Sequence, residues 1–94
     1  MNATISYKEH YMNLANELVK TYPEFNFENH CYLRIALDNA VGTKWDTKIA
    51  RPAYKNLTIV QRALVIDYLA HYLSDRDMLL SHNAISLAYR GKLV

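Results

Sequence analysis

Only four residues in this chain of 94 interrupt regular structure through their own backbone chemistry: Pro23, Gly42, Pro52 and Gly91. Proline fixes φ and lacks a backbone donor, and glycine trades helix or strand stability for conformational freedom. An all-β domain needs a turn signal every ~8–12 residues, which two glycines and two prolines cannot supply. The intervals between them carry apolar residues at helical spacing, so an all-α fold is expected. About half the residues are hydrophobic (51%) and 21% are charged, a balance that excludes a disordered chain. Ninety-four residues are enough for one domain, so 1–94 is read as a single helical domain.

Four segments read as helices. The first covers 7–21, with Ser6 and Glu9 spaced as a capping box and Pro23 as the stop. Tyr7, Tyr11, Leu14, Ala15, Leu18 and Tyr22 fall on one stripe of it, opposite a polar face. The second covers 28–41, with Asn26 as the expected N-cap and Gly42 as the stop. Its apolar residues leave one polar wedge, His30, Arg34 and Asp38, at spacing i, i+4, i+8. The third covers 59–73, opened by a Thr58/Gln61 capping box and apolar around most of its circumference. It is expected to be the central helix. The fourth covers 75–90, with Ser74 as N-cap and Gly91 at the C-terminal cap. The expected architecture is a compact four-helix domain with a long basic connection between helices 2 and 3.

That connection is the densest charge feature. From position 44 to 62 there are five cations (Lys44, Lys48, Arg51, Lys55, Arg62) and one anion, Asp46, a local net charge of +4. Residues 1–43 are net −2 and residues 63–94 are neutral, so the whole-chain charge of +2 hides one basic patch. The only tryptophan, Trp45, and Tyr54 lie among these cations. Cations interleaved with aromatics can grip an acidic protein face or a phosphate backbone. Connections this long are usually functional or contain a short extra helix, and function concentrates on loops held by rigid elements. Lys44, Trp45, Lys48, Arg51, Tyr54 and Lys55 are therefore the candidate binding residues, with the wedge of His30, Arg34 and Asp38 as a second candidate surface. Trp45 has a structural alternative as the apolar anchor of the loop. Thr43 is expected to cap a short turn over 43–49.

Other chemistry is weaker in this sequence. His30 and Cys31 are adjacent, so on a helix they point about 100° apart, and no paired metal-ligand spacing exists. No metal and no cofactor are expected. Asp67 and His71 are i, i+4 and could combine with Ser81, His82 or Ser86 into a triad, but no serine has glycine-flanked elbow geometry. A polar pair orienting helices 3 and 4 is the preferred reading, and an enzyme is not expected. A lone Cys31 excludes an intrachain disulfide and fits a reducing compartment. The first six residues have neither the basic start nor the apolar run of a signal peptide. A cytoplasmic location and no membrane partner are expected.

The runs His30-Cys31-Tyr32-Leu33-Arg34-Ile35-Ala36-Leu37-Asp38-Asn39, Lys44-Trp45-Asp46, Arg51-Pro52-Ala53-Tyr54-Lys55-Asn56-Leu57-Thr58 and Ser86-Leu87-Ala88-Tyr89-Arg90-Gly91 resemble a pattern of small uncharacterised helical proteins of bacteria and their phages. The resemblance covers roughly the C-terminal two-thirds of the chain. It implies a phage or mobile-element origin and transfers no functional residue. The functional expectation is a small non-catalytic interaction protein that binds another protein through the 44–55 loop, with direct nucleic-acid binding by the same loop as the alternative. The apolar excess on helices 2 and 3 adds an expected homo-oligomer.

Overall fold

The computed structural model describes residues 5–92, and every regular element in that span is helical. Five α-helices follow one another: α1 (Tyr7–Thr21), α2 (Asn29–Val41), α3 (Ala53–Asn56), α4 (Ile59–Tyr72) and α5 (Arg76–Tyr89). Single 3-10 turns lie at Pro23–Phe25 and Trp45–Thr47.

Local chemistry explains the boundaries. Ser6 Oγ accepts the Glu9 N–H at 3.1 Å and starts α1. At α4 both halves of the capping box form: Thr58 Oγ1 accepts the Gln61 N–H (3.1 Å), and Gln61 Oε1 accepts the Thr58 N–H (2.9 Å). Gly42 ends α2 with φ 87°, a left-handed conformation that suits glycine. At α5 the closure is a Schellman motif: Gly91, with φ 70°, donates to the Ala88 carbonyl, and Lys92 N–H donates to the Leu87 carbonyl.

Three expected caps differ. Asn26 does not start α2. It takes φ 55° and closes the Pro23–Phe25 turn, while Glu28 holds the cap position with no side-chain bond. Asp75, not Ser74, caps α5, because its carboxylate accepts the Met78 N–H at 3.0 Å. The turn over 45–47 begins at Lys44 without a side-chain cap, so Thr43 plays no part in it.

The architecture departs from the expected four helices at the connection between α2 and α4. That segment folds into the Trp45–Thr47 turn and the four-residue helix α3 instead of one long basic stretch. Ala53 and Leu57 are both buried and clamp α3 onto the core at spacing i, i+4. Asn56 Nδ2 donates to the carbonyls of Ala50 and Pro52, both at 3.0 Å, and closes the segment on itself.

The central helix is α2, not the 59–73 segment. It packs against α1, α4 and α5, and Tyr32, Ile35 and Ala36 have no exposed surface. Of α4, only Val65, Leu69 and Tyr72 are buried, whereas Ile59 is 87% and Val60 69% exposed. A helix that is apolar nearly all round does not reveal which third faces inward. Tyr7 OH donates to the Arg62 carbonyl (3.0 Å) and Tyr22 OH to the Tyr72 carbonyl (2.6 Å). These bonds join start to start and end to end, so α1 and α4 run parallel. The beginnings of α1 and α4 therefore meet the 44–55 segment at one end of the molecule. Among the described residues, no helix is long and apolar enough to cross a membrane.

Candidate functional site

At this end, three cations each lie over an aromatic ring. Lys8 Nζ is 5.2 Å from the Tyr54 centroid, Arg62 is 5.2 Å from that of Tyr7, and Arg51 is 5.1 Å from that of Trp45. The rings are in turn packed on the core, with Tyr11 between Tyr7 (5.9 Å) and Tyr54 (6.2 Å). Burial pushes the hydroxyls of Tyr7 and Tyr11 up to about 12, so both are held neutral. A cation over a ring keeps its charge in water while its stem covers apolar surface. Arg51 is also paired with Asp46 at 2.8 Å. Lys44, Lys48 and Lys55 are exposed.

Trp45 is half-buried against the core, so its side chain does anchor the loop. Its backbone does so as well, because the Trp45 N–H donates to Asp38 Oδ1 at 2.9 Å. The 44–55 candidates thus divide: Trp45 and Tyr54 hold the segment down, Arg51 sits on the first of these rings, and three lysines face water.

The second candidate set, His30, Arg34 and Asp38, does not form one surface. His30 is exposed and faces Glu28 at 3.3 Å. Arg34 is half-buried and donates to Ser86 Oγ (2.7 Å) and Asn83 Oδ1 (3.0 Å) on α5. Asp38 has no exposed surface. Besides Trp45 it accepts Arg90 Nε (2.7 Å), Arg90 Nη2 (3.0 Å) and the Ser86 hydroxyl (2.6 Å). Asp38 is therefore a buried tie between α2, α5 and the loop. Its hydrogen bonds hold Arg90 charged and raise that guanidinium's pKa. Burial, followed by the nearby charge of Arg90, lowers that of Arg34.

Sequence reasoning missed Ser86, Asn83 and Arg90 as partners. The signal was a polar stripe at 83, 86 and 90 on one face of the last helix, the counterpart of the wedge at 34 and 38.

The residues considered for a triad are not brought together. The Ser86 hydroxyl donates its hydrogen bond to Asp38, whereas His71 contacts Asp67 (3.4 Å) on an exposed face of α4. That pair does not orient the packing of α4 on α5, as had been expected. His82 does: its Nδ1 and the Tyr72 hydroxyl share a hydrogen bond of 2.7 Å. Its ring stands edge-on to Tyr68 at 4.8 Å. Among the described residues, no three His, Cys, Asp or Glu side chains gather as a metal site would require. An open hollow lined by Asn16, Val19, Lys20, Phe27, Glu28 and Asn29 lies between α1 and the start of α2, without convergent chemistry.

The environment of His82 gives a pH prediction. Burial lowers its pKa below the ordinary 6.5, so the unfolded chain binds the proton more readily than the folded one. Stability is then complete above about pH 6.5 and falls as pH drops below it. The melting temperature should decline as pH falls below about 6.5, and His82→Gln should flatten that decline. An unchanged slope in the variant would remove His82 as its source.

No family model, curated protein or solved structure matches this chain.

Proposed function

We propose that this protein is a non-catalytic, cytoplasmic interaction module that binds another protein through the 44–55 segment. The observation that carries this reading is the pinned loop. Asp38 holds its backbone, Trp45 and Tyr54 hold its side chains against the core, and Lys44, Lys48 and Lys55 are left facing water. A positively charged loop fixed in shape loses little entropy on binding, which favours a specific partner. The rings support a protein partner over a nucleic acid. Tyr7, Trp45 and Tyr54 are each packed on the core and carry a cation over one face, which leaves no open platform for a base.

The test is the triple charge reversal Lys44→Glu, Lys48→Glu, Lys55→Glu. Arg51 is left in place because it pairs with Asp46 and stacks on Trp45. The helical circular dichroism should be unchanged, since exposed substitutions stay within about 0.5 kcal/mol each. Binding to a partner isolated from cytosolic extract on the immobilised wild-type protein should weaken by about tenfold or more. A folded variant with full affinity would mean that the loop is only a connection. A binding constant that falls steeply with salt, together with retention of DNA or RNA, would favour the nucleic-acid alternative.

A further inference from the structure

We propose that the partner presents an acidic, amphipathic segment, and that this segment docks across the 44–55 segment and the first turns of α1 and α4. This rests on the protein-binding reading and names the chemistry of what is bound.

The first observation is apolar. Ile59 and Val60, the opening residues of α4, are 87% and 69% exposed, and Ile5, just before α1, is 59% exposed. They are the most exposed of the large hydrophobic residues described. Folding gives no reason for two β-branched residues there. Thr58 and Gln61 already cap the helix, and β-branched residues are weaker helix formers than many polar ones.

The second observation is the charge around them. Lys55 lies just before Ile59 in the chain, and Arg62 lies one turn after it, fixed over Tyr7. Lys8 is fixed over Tyr54, between α1 and α3. Of the nearby anions among the described residues, Asp46 is paired with Arg51, which leaves Glu9 as the one exposed carboxylate among Lys8, Lys55 and Arg62. At the other end of α1 and α4, exposed Glu24, Glu28, Asp75 and Asp77 outnumber exposed Lys20 and Arg76, the latter paired with Glu24 at 3.5 Å, so the sign is opposite. Exposed aliphatics bordered by cations fit a segment that carries aliphatics bordered by carboxylates.

Other occupants fit less well. A second copy seated on the same face would oppose Lys8, Lys55 and Arg62 to their own like charges. A nucleic acid would leave Ile59 and Val60 without apolar partners. A bilayer has no fixed anion positions, whereas Lys8, Arg51 and Arg62 are each held on a ring.

The test is calorimetric titration of the full chain with a synthetic helical peptide of about 18 residues, five turns, with Leu on one face and Glu on the other. The double variant Ile59→Ser, Val60→Ser should keep its circular dichroism and bind this peptide at least about tenfold more weakly. Replacing the peptide's Glu by Gln, or its Leu by Ser, should weaken binding similarly. Equal affinity of the double variant, a preference for the Gln peptide, or no binding of the acidic peptide overturns the proposal. Binding instead to phosphatidylglycerol vesicles or to oligothymidylate, lost in the double variant, overturns it in favour of a bilayer or a nucleic acid. A dimer in sedimentation equilibrium that the double variant dissolves assigns the face to a second copy and also overturns it. The two levels of the reading separate cleanly. If the triple lysine reversal loses the isolated partner while the double variant keeps it, the loop reading stands and this extension fails. If neither set changes partner binding, both fail.

Discussion

Asp38→Ala should destabilise the fold by about 3–5 kcal/mol, the usual cost of removing one member of a buried ion pair. The carboxylate is fully buried and accepts from the Arg90 guanidinium twice, from the Ser86 hydroxyl and from the Trp45 backbone. Alanine leaves all of these donors without their acceptor in a space the side chain used to fill. Arg90→Ala alone should also be costly, because it strands the carboxylate. The double variant should cost less than the two single losses added together, since the second change removes a group already left unpaired. Urea denaturation of the three variants measures this. Fluorescence adds a local reading, because Trp45 is the only tryptophan and its N–H is anchored by Asp38. The emission of Asp38→Ala should shift to longer wavelength as the loop loosens, and partner binding should weaken with it. A loss under about 1 kcal/mol would contradict a buried, charge-paired Asp38. Unchanged emission would mean that the side-chain packing of Trp45 holds the loop without that bond.

Legibility in the sequence followed the range of each interaction. Ser6, Thr58, Gly42 and Gly91 act within one turn of themselves, and the chain shows where they end or begin a helix. Adjacent Ser74 and Asp75 can both cap, and the pattern does not choose between them; the carboxylate reaches the Met78 N–H and takes the position. Helix α3 is too short for any periodicity, and its only trace is the pair Ala53 and Leu57 at i, i+4. Asp38 is the instructive case. Its position in a polar wedge was plain, but a wedge facing water and a wedge facing a polar stripe look alike until the stripe is placed. That stripe lies 48 to 52 residues away, at Ser86 and Arg90. The 44–55 candidates were legible as a group through charge and aromatic content. Their division into anchors and free lysines was not, because it depends on Lys8, Tyr11 and Asp38 from other helices. The cations over Tyr7 and Tyr54 have the same origin and were equally out of sight.

Within α4, Leu69→Ala should cost about 2–5 kcal/mol, the range for a buried aliphatic cut back to a methyl group. Ile66→Ala should cost less, and Ile59→Ala should stay within about 0.5 kcal/mol. The apolar pattern alone treats the three alike, since all lie on one face of the 59–73 segment. Their environments separate them. Leu69 has no exposed surface and sits in the core with Val65 and Tyr72, Ile66 is half-buried at its border, and Ile59 stands 87% in water. What is lost scales with the surface returned to water and the cavity left behind, and Ile59 has almost none of either to give. Denaturant midpoints with an unchanged slope would report these differences as stability. The ordering matters more than any single value. Equal losses at Leu69 and Ile59 would mean that the first turn of α4 is buried as deeply as its middle, and the exposed aliphatic pair that marks the docking surface would then belong to the core.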